Sequence, residues 1–181
     1  MTALLKSLYY DIKKGGYFSS LAYTMMNILP GESGNRIRGT YISRKIQTCG
    51  AGLNIGKGVI LNHTDCLSIG NDVIINIGVI IEAGGGIEIG DDVLIGPSVK
   101  IWSINHNFEN ISIPIRKQGW SKDLVKIGND VWLGSGVIVL PGSVIPDGVV
   151  VAASSTVTRS SDIKPYSICA GTPAKMIAER K

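Results

Sequence analysis

Histidine, cysteine and phenylalanine are scarce in this sequence: two His, three Cys and two Phe among 181 residues. Two histidines and an odd, unpatterned set of cysteines (Cys49, Cys66, Cys169) offer too few donors for a zinc site and no disulfide framework. Charge is thin as well, 18% of residues against about a quarter in ordinary globular chains. The basic residues are scattered, and no stripe of Lys and Arg interleaved with aromatics marks a nucleic-acid surface. No apolar run reaches bilayer-spanning length. Lys6, Asp11, Lys13 and Lys14 interrupt what would be the apolar stretch of a signal peptide. Together these absences lead to the expectation of a metal-free protein in a reducing cytoplasm.

What is abundant is glycine, 23 residues, with Ile, Val and Leu. Such a composition suits a β-rich chain with many tight corners and a narrow aliphatic core, and it argues against disorder. The net charge of +4 favours an anionic ligand over a cationic one. Residues 1–45 stand apart. Leu4, Leu5, Leu8 and Ile12 follow helical spacing, and Gly15-Gly16 stops that segment. A second helix is expected from Ser19 or Ser20 to about Leu29, stopped by Pro30-Gly31, with Arg36, Arg38, Arg44 and Lys45 beyond it. The segment reads as a helical cap over the open end of a repeat domain. A contact with a membrane surface through its basic flanks is the alternative.

From Ile46 the period becomes six. Ile127, Leu133, Val139, Ile145, Val151, Val157 and Ile163 recur at that interval, and Cys169 follows in the same register. Four positions after each comes a small or β-branched residue: Val131, Val137, Ser143, Val149, Ser155, Ser161 and Ser167. A helix would repeat at 3.6 and a flat strand at 2. Six residues make a short strand plus a corner, with Gly, Asn and Asp supplying the turn conformations, as in Ile127-Gly128-Asn129-Asp130. The unit begins earlier, at Ile55-Gly56, Ile69-Gly70, Ile89-Gly90 and Ile95-Gly96, with phase slips of two residues at Leu67/Ile69 and Ile87/Ile89 read as small bulges at corners. Between 103 and 124 the pattern fails. That stretch contains His106, Asn107, Phe108, Pro114, Arg116 and Trp120 and reads as a long loop thrown out from one corner. The expected organisation is a cap over 1–45, a left-handed parallel β-helix over 46–170 interrupted by the 103–124 loop, and a tail over 171–181.

The segments IGDDVLIGPSVKI, INHNF, KIGNDVWLGSGVIVLPG and AGTPAK, in that order within residues 46–177, resemble the hexapeptide-repeat acyltransferases. They are most similar to the galactoside and maltose O-acetyltransferases and to the polysaccharide O-acetyltransferases. The resemblance implies an all-β prism of three hexads per coil, a homotrimer with active sites between subunits, and transfer of an acetyl group from acetyl-CoA to a sugar-like acceptor. It places the family's general base on His106. The chemistry agrees: a hydroxyl must lose its proton as it attacks a thioester, and an imidazole accepts protons near neutral pH.

By the same resemblance Asn76 and Asn105 fall on the acceptor side. The family's acidic acceptor residue has no clean counterpart: its register lands on Gly84, and the nearest acid is Glu82. For acetyl-CoA the resemblance implies Trp132, Ser135, Ala153, Thr158 and Arg159, with Lys175 suited to a phosphate. The segment at Ser160-Ser161 is about two residues longer than the usual form, which bears on Arg159. Four other readings compete. A γ-class carbonic anhydrase would need three histidines. GVILNHTDCLSIG resembles part of the serine acetyltransferases, but their long helical N-terminal domain and acidic loop pattern are missing, and His63 reads as structural or acceptor-side. Amino-sugar N-acetylation and a non-catalytic repeat scaffold stay open.

Overall fold

A computed structural model describes residues 21–181. The expected first helix, Gly15-Gly16 and the Ser19/Ser20 start lie outside the described residues.

Short strands stack into three parallel sheets, the faces of a triangular prism. Face A holds Thr48–Cys49, Leu67–Ile69, Ile87–Ile89, Val125–Ile127 and Val144–Ile145. Face B holds Asn54–Ile55, Ile74–Ile75, Leu94–Ile95, Trp132–Leu133, Val150–Val151 and Ser167–Gly171. Face C holds Ile60–Asn62, Ile80–Glu82, Lys100–Trp102, Ile138–Val139 and Thr156–Val157. The chain is thus a left-handed parallel β-helix. That hand is rare for parallel crossovers, and the corners show how it is reached. Gly58, Gly78, Ser98, Gly136 and Ser154 stand at equivalent corner positions in successive coils, all with φ between 59 and 69°. Small residues sit there because a branched side chain in this region is strained.

The inward column of face B (Ile55, Ile75, Ile95, Leu133, Val151, Cys169) is fully buried. Each aliphatic member removed from water contributes about 1.5–3 kcal/mol. The serines four positions on are small because they sit at corners and turn their hydroxyls to backbone. Ser143 Oγ donates to Leu140 O at 2.7 Å, Ser167 Oγ donates to Lys164 O at 2.7 Å, and Ser155 Oγ accepts from Gly171 N at 3.0 Å.

The early coils are longer than the late ones. Ile55 pairs with Ile75, 20 residues on, whereas Ile127 pairs with Ile145, 18 on. The added residues lie in the corner before the strand, where Thr64–Cys66 form a 3-10 turn. Leu67 and Ile69 both point inward from one regular strand. The phase slip is therefore a lengthened corner, and the strand itself carries no bulge.

Two elements depart from the expected outline. Helix α1 spans Leu21–Met26 and stops before Leu29. A further helix, α2, spans Gly31–Ser43, with Pro30 at its N-cap. Pro30-Gly31 starts this helix as well as separating it from α1. Three glycines in GESGNRIRGTYIS make α2 a poor helix by propensity. Tertiary contacts hold it. The Arg38 side chain is buried and donates to Ile55 O at 2.9 Å, Met26 O at 2.9 Å and Leu29 O at 3.1 Å. Gly39 packs so closely that a Cβ there would stand 1.9 Å from Leu53 O.

Ile55 O lies on the exposed rim of the first coil. Nearby, Tyr23 Oη donates to Val59 O at 2.8 Å, and Asn27 Oδ1 accepts from Gly58 N at 3.0 Å. Burial pushes the Tyr23 hydroxyl up to about 12, so it remains a donor through ordinary pH. At the opposite end residues 174–179, expected to be tail, form a strand antiparallel to Ser167–Gly171. The turn between them carries the cis Thr172-Pro173 bond.

Candidate active site

The 103–124 segment leaves the edge between faces C and A. Its stem is an antiparallel ribbon in which Ile104 pairs with Lys122, Asn105 with Ser121 and His106 with Trp120. Gln118 ties the tip: its Nε2 donates to Asn110 O and Ile113 O, both at 2.8 Å, and its carbonyl O accepts from Asn107 Nδ2 at 3.1 Å. His106 therefore stands on a braced ribbon. Its ring stacks on Trp120 with centroids 3.6 Å apart. Its ring nitrogens have no hydrogen-bond partner among the described residues, which leaves both open to a substrate. Asn105 Oδ1 accepts from His106 N at 3.0 Å, so this side chain also shapes the backbone beneath the imidazole.

A groove of about 380 Å³ opens at the root of the ribbon, with Trp102, Asn105, Asp123, Pro141, Thr158 and Arg159 among its walls. Arg159 makes an ion pair with Asp123 and lies over Gly142, where a Cβ would come within 2.5 Å of its Nε. Thr158 is held by its own neighbours, with Ser160 Oγ at 3.0 Å and Ser161 Oγ at 3.3 Å from its Oγ1. Ser160 and Ser161 thus fold back on Thr158 within a coil of ordinary length, Val151 pairing with Cys169 18 residues on.

The other residues expected to meet acetyl-CoA are elsewhere. Trp132 projects from face B, 52% exposed. Ser135 and Ala153 occupy successive coils of the B–C edge. Ser135 O accepts from Ser154 N at 2.9 Å, and Ser135 Oγ donates to Pro97 O at 3.1 Å. Gly134, just before Ser135, cannot carry a side chain, since a Cβ would stand 2.6 Å from Ala153 N. The edge is thereby kept low, with exposed small residues beside Trp132. Lys175 lies on the last strand of face B, paired with Ala170. Asn76 is on the B–C edge too, two coils below Ser135, with Nδ2 donating to Ile95 O at 3.0 Å.

Within one chain, then, the expected site residues do not converge. Glu82, Asn105, His106, Thr158 and Arg159 belong to the C–A edge. Asn76, Trp132, Ser135, Ala153 and Lys175 belong to face B and the B–C edge. Along the prism axis they are ordered: Asn76 and Glu82 in an early coil, the His106 ribbon next, the remainder in the later coils.

Glu82 is better placed than its register suggests. Its Oε1 lies 3.6 Å from the point where a Cβ of Gly84 would stand. The carboxylate thus reaches the space that a side chain at position 84 would enter. Sequence reasoning missed its partners: His63 Nδ1 at 2.5 Å from Oε1, and Asn62 Nδ2 donating to Oε2 at 3.0 Å. A 20-residue coil spacing places Asn62 directly under Glu82, which is the signal that could have found them. It also missed Gln118 and Asp123, and it named Trp120 without its stacking on His106, because these roles depend on the ribbon's pairing. Among the described residues no group of three His, Cys, Asp or Glu could hold a metal ion, and no helix is long and apolar enough to cross a membrane.

Coils of this shape, with these corner residues, define a hexapeptide-repeat protein. A family model, bacterial transferase hexapeptide (six repeats), matches residues 124–159. Galactoside O-acetyltransferase of Escherichia coli (strain K12) is 32% identical over 131 residues, 72% of this chain and 55% of that protein. A chloramphenicol acetyltransferase of Agrobacterium fabrum is 48% identical over 54 residues, 30% of this chain and 25% of that protein. The chain thus spans only about half, or a quarter, of these relatives' lengths. Among solved structures, a maltose O-acetyltransferase from Clostridium difficile 630 matches with a TM-score of 0.77 at 26% identity, over 99% of this chain and 90% of that one. A galactoside acetyltransferase in complex with coenzyme A matches with a TM-score of 0.75 at 27% identity, over 96% and 90%. Within the hexapeptide-repeat proteins the chain resembles the acyltransferases, with galactoside and maltose O-acetyltransferases among its relatives.

Proposed function

We propose that this chain is an acetyltransferase that moves an acetyl group from acetyl-CoA directly to a hydroxyl of a sugar or sugar-containing acceptor. The observation that carries the reading is the split of the site between two edges. A homotrimer about an axis parallel to the prism sets the C–A edge of one subunit against the B–C edge of the next. His106 of one chain then faces Asn76, Ser135 and Ala153 of its neighbour. Face B supports this contact: Ile74, Leu94, Trp132 and Val150 form one outward apolar row. Rows of that kind mark interfaces.

His106 takes the proton from the acceptor hydroxyl as its oxygen attacks the thioester carbonyl. The carbon–sulfur bond breaks as the tetrahedral intermediate collapses, and the leaving thiolate takes the proton back from the imidazolium. Ser135 and Ala153 offer backbone groups along the low edge to the pantetheine arm. Lys175 supplies positive charge for a phosphate of the nucleotide. Thr158 and Arg159, on the C–A edge, meet its adenine end across the cleft. Acetyl-CoA is consumed as co-substrate, and no metal enters. The N-terminal helices serve as cap, and the protein works in the cytoplasm.

The test is thiol release from acetyl-CoA against a panel of sugars and amino sugars, with thermal stabilisation by CoA measured in parallel. Turnover on hydroxyl acceptors and a raised Tm with CoA are expected. No stabilisation by CoA and no thiol release would leave a repeat scaffold instead. Mixing His106→Ala subunits with Ala153→Trp subunits tests the shared site: some activity returns if two chains build it.

A further inference from the structure

Acetyl transfer as described leaves the second histidine unused. His63 turns the C–A edge of an early coil with φ at 56°, a left-handed conformation that is unfavourable for a residue with a Cβ. The Glu82 carboxylate beside its Nδ1 is mostly sheltered, the side chain 12% exposed, while the imidazole is 50% exposed. Asn62 holds the other carboxylate oxygen. The carboxylate is therefore anchored inside and the ring is turned outward.

This arrangement sets the imidazole's hydrogen-bonding sense. With Nδ1–H given to Glu82, Nε2 of the neutral ring is left as a lone-pair acceptor on a half-exposed side chain. The pair also adjoins the catalytic ribbon. A Cβ on Gly84 would stand 3.5 Å from His63 Nδ1 and 3.0 Å from Ile104 Cγ2, the residue from which Asn105 and His106 extend. Trp102 lies one coil above Glu82. The other left-handed positions among the described residues carry Gly, Ser, Asp or Tyr, and His63 is the one imidazole among them.

We propose that His63, oriented by Glu82, reads the acceptor: its Nε2 accepts a hydrogen bond from a second hydroxyl or amino group next to the reacting hydroxyl. The substrate class is then a vicinal diol or amino alcohol, as in a sugar ring, and not an isolated alcohol. Glu82 is a positioning residue that acts through His63. The inference rests on the acetyltransferase reading and specifies its acceptor.

Two measurements test it. In the first, His63→Asn and Glu82→Gln are compared with wild type on methyl glycosides and on deoxy analogues that lack the neighbouring hydroxyl. Asn is chosen because it tolerates the left-handed corner. KM for the diol should rise about tenfold in His63→Asn, the loss of one hydrogen bond. Its kcat should hold, and the deoxy analogue should be unaffected. Glu82→Gln should show the same pattern more weakly. Equal losses on diol and deoxy acceptors, or no loss on either, would overturn the proposal. The second is direct: with two histidines in the chain, imidazole resonances are followed while the same glycosides are added to the wild-type protein. His63 should shift with the diol and stay still with the deoxy sugar. A response from His106 alone removes His63 from the acceptor site. No response from either residue defeats sugar recognition as a whole, while CoA-induced stabilisation reports separately on the transferase reading.

Discussion

The A–B and C–A edges of the prism are built on the same coil spacing and have opposite characters. On the A–B edge successive coils repeat one device. Asn71 N donates to Asp91 Oδ1 at 2.6 Å, Asp91 N to Asn129 Oδ1 at 2.8 Å, and Asn129 N to Asp147 Oδ1 at 2.7 Å. The next residues, Asp72, Asp92 and Asp130, are all left-handed. The C–A edge never repeats: it turns through His63, then Ala83 to Gly86, then the His106 ribbon, then Pro141-Gly142 and the Thr158 corner. Repetition satisfies backbone groups wherever the stack needs it. Departure from repetition puts side chains where a substrate can meet them. The first edge should therefore govern stability and the second activity.

The largest effect expected is on the irregular edge. His106→Ala should lower turnover by about 100- to 10,000-fold, with Tm and CoA-induced stabilisation kept. A variant retaining half of wild-type turnover on a good acceptor would move the base elsewhere. Next comes face B, which borders the B–C edge. Leu94→Asp puts a charge in the apolar row and should split the proposed trimer and abolish activity, as light scattering and thiol release would show. A trimer that survives this change makes another face the interface. The regular edge should respond moderately: Asn129→Ala deprives Asp91 N of its acceptor and should cost about 1 kcal/mol of stability. Its kcat should be unchanged, and a loss of turnover without a loss of stability would erase the contrast between the edges. The smallest change is expected on face A, where Glu88 and Lys126 pair at 3.1 Å with half-exposed side chains. Glu88→Gln should alter stability by less than about 1 kcal/mol, measured by urea denaturation.

The same contrast explains what could be read from the sequence. Regular coils announce themselves, because one inward residue every sixth position needs no knowledge of neighbours. Ile127 through Val157 are buried as that period requires. The fold and the position of the ribbon followed from this. Helix α2 did not, because nothing local favours it: its stability comes from Arg38 reaching carbonyls of Met26, Leu29 and Ile55. The last strand was hidden because its partner runs antiparallel and obeys no hexad. At the site, register alone put the missing acid on Gly84. Side-chain reach, which register does not contain, brings Glu82 to that space and couples it to His63. Arg159 is a similar case: its place followed from the family resemblance, and its turn toward Asp123 depended on a ribbon whose path the repeat does not set.

The two ends of the stack bear on how the molecule behaves at high concentration. A parallel ladder that simply stopped would offer a row of free carbonyls and amides, a template on which another copy could continue the winding. Here the lower rim is already occupied, by Arg38 on Ile55 O, Tyr23 on Val59 O and Asn27 on Gly58 N. The upper rim of face B is closed by a strand running the wrong way for propagation, and Arg180 Nη1 donates to Gly148 O at 3.1 Å beside it. These contacts take up some of the backbone groups that a second copy would need to continue the winding.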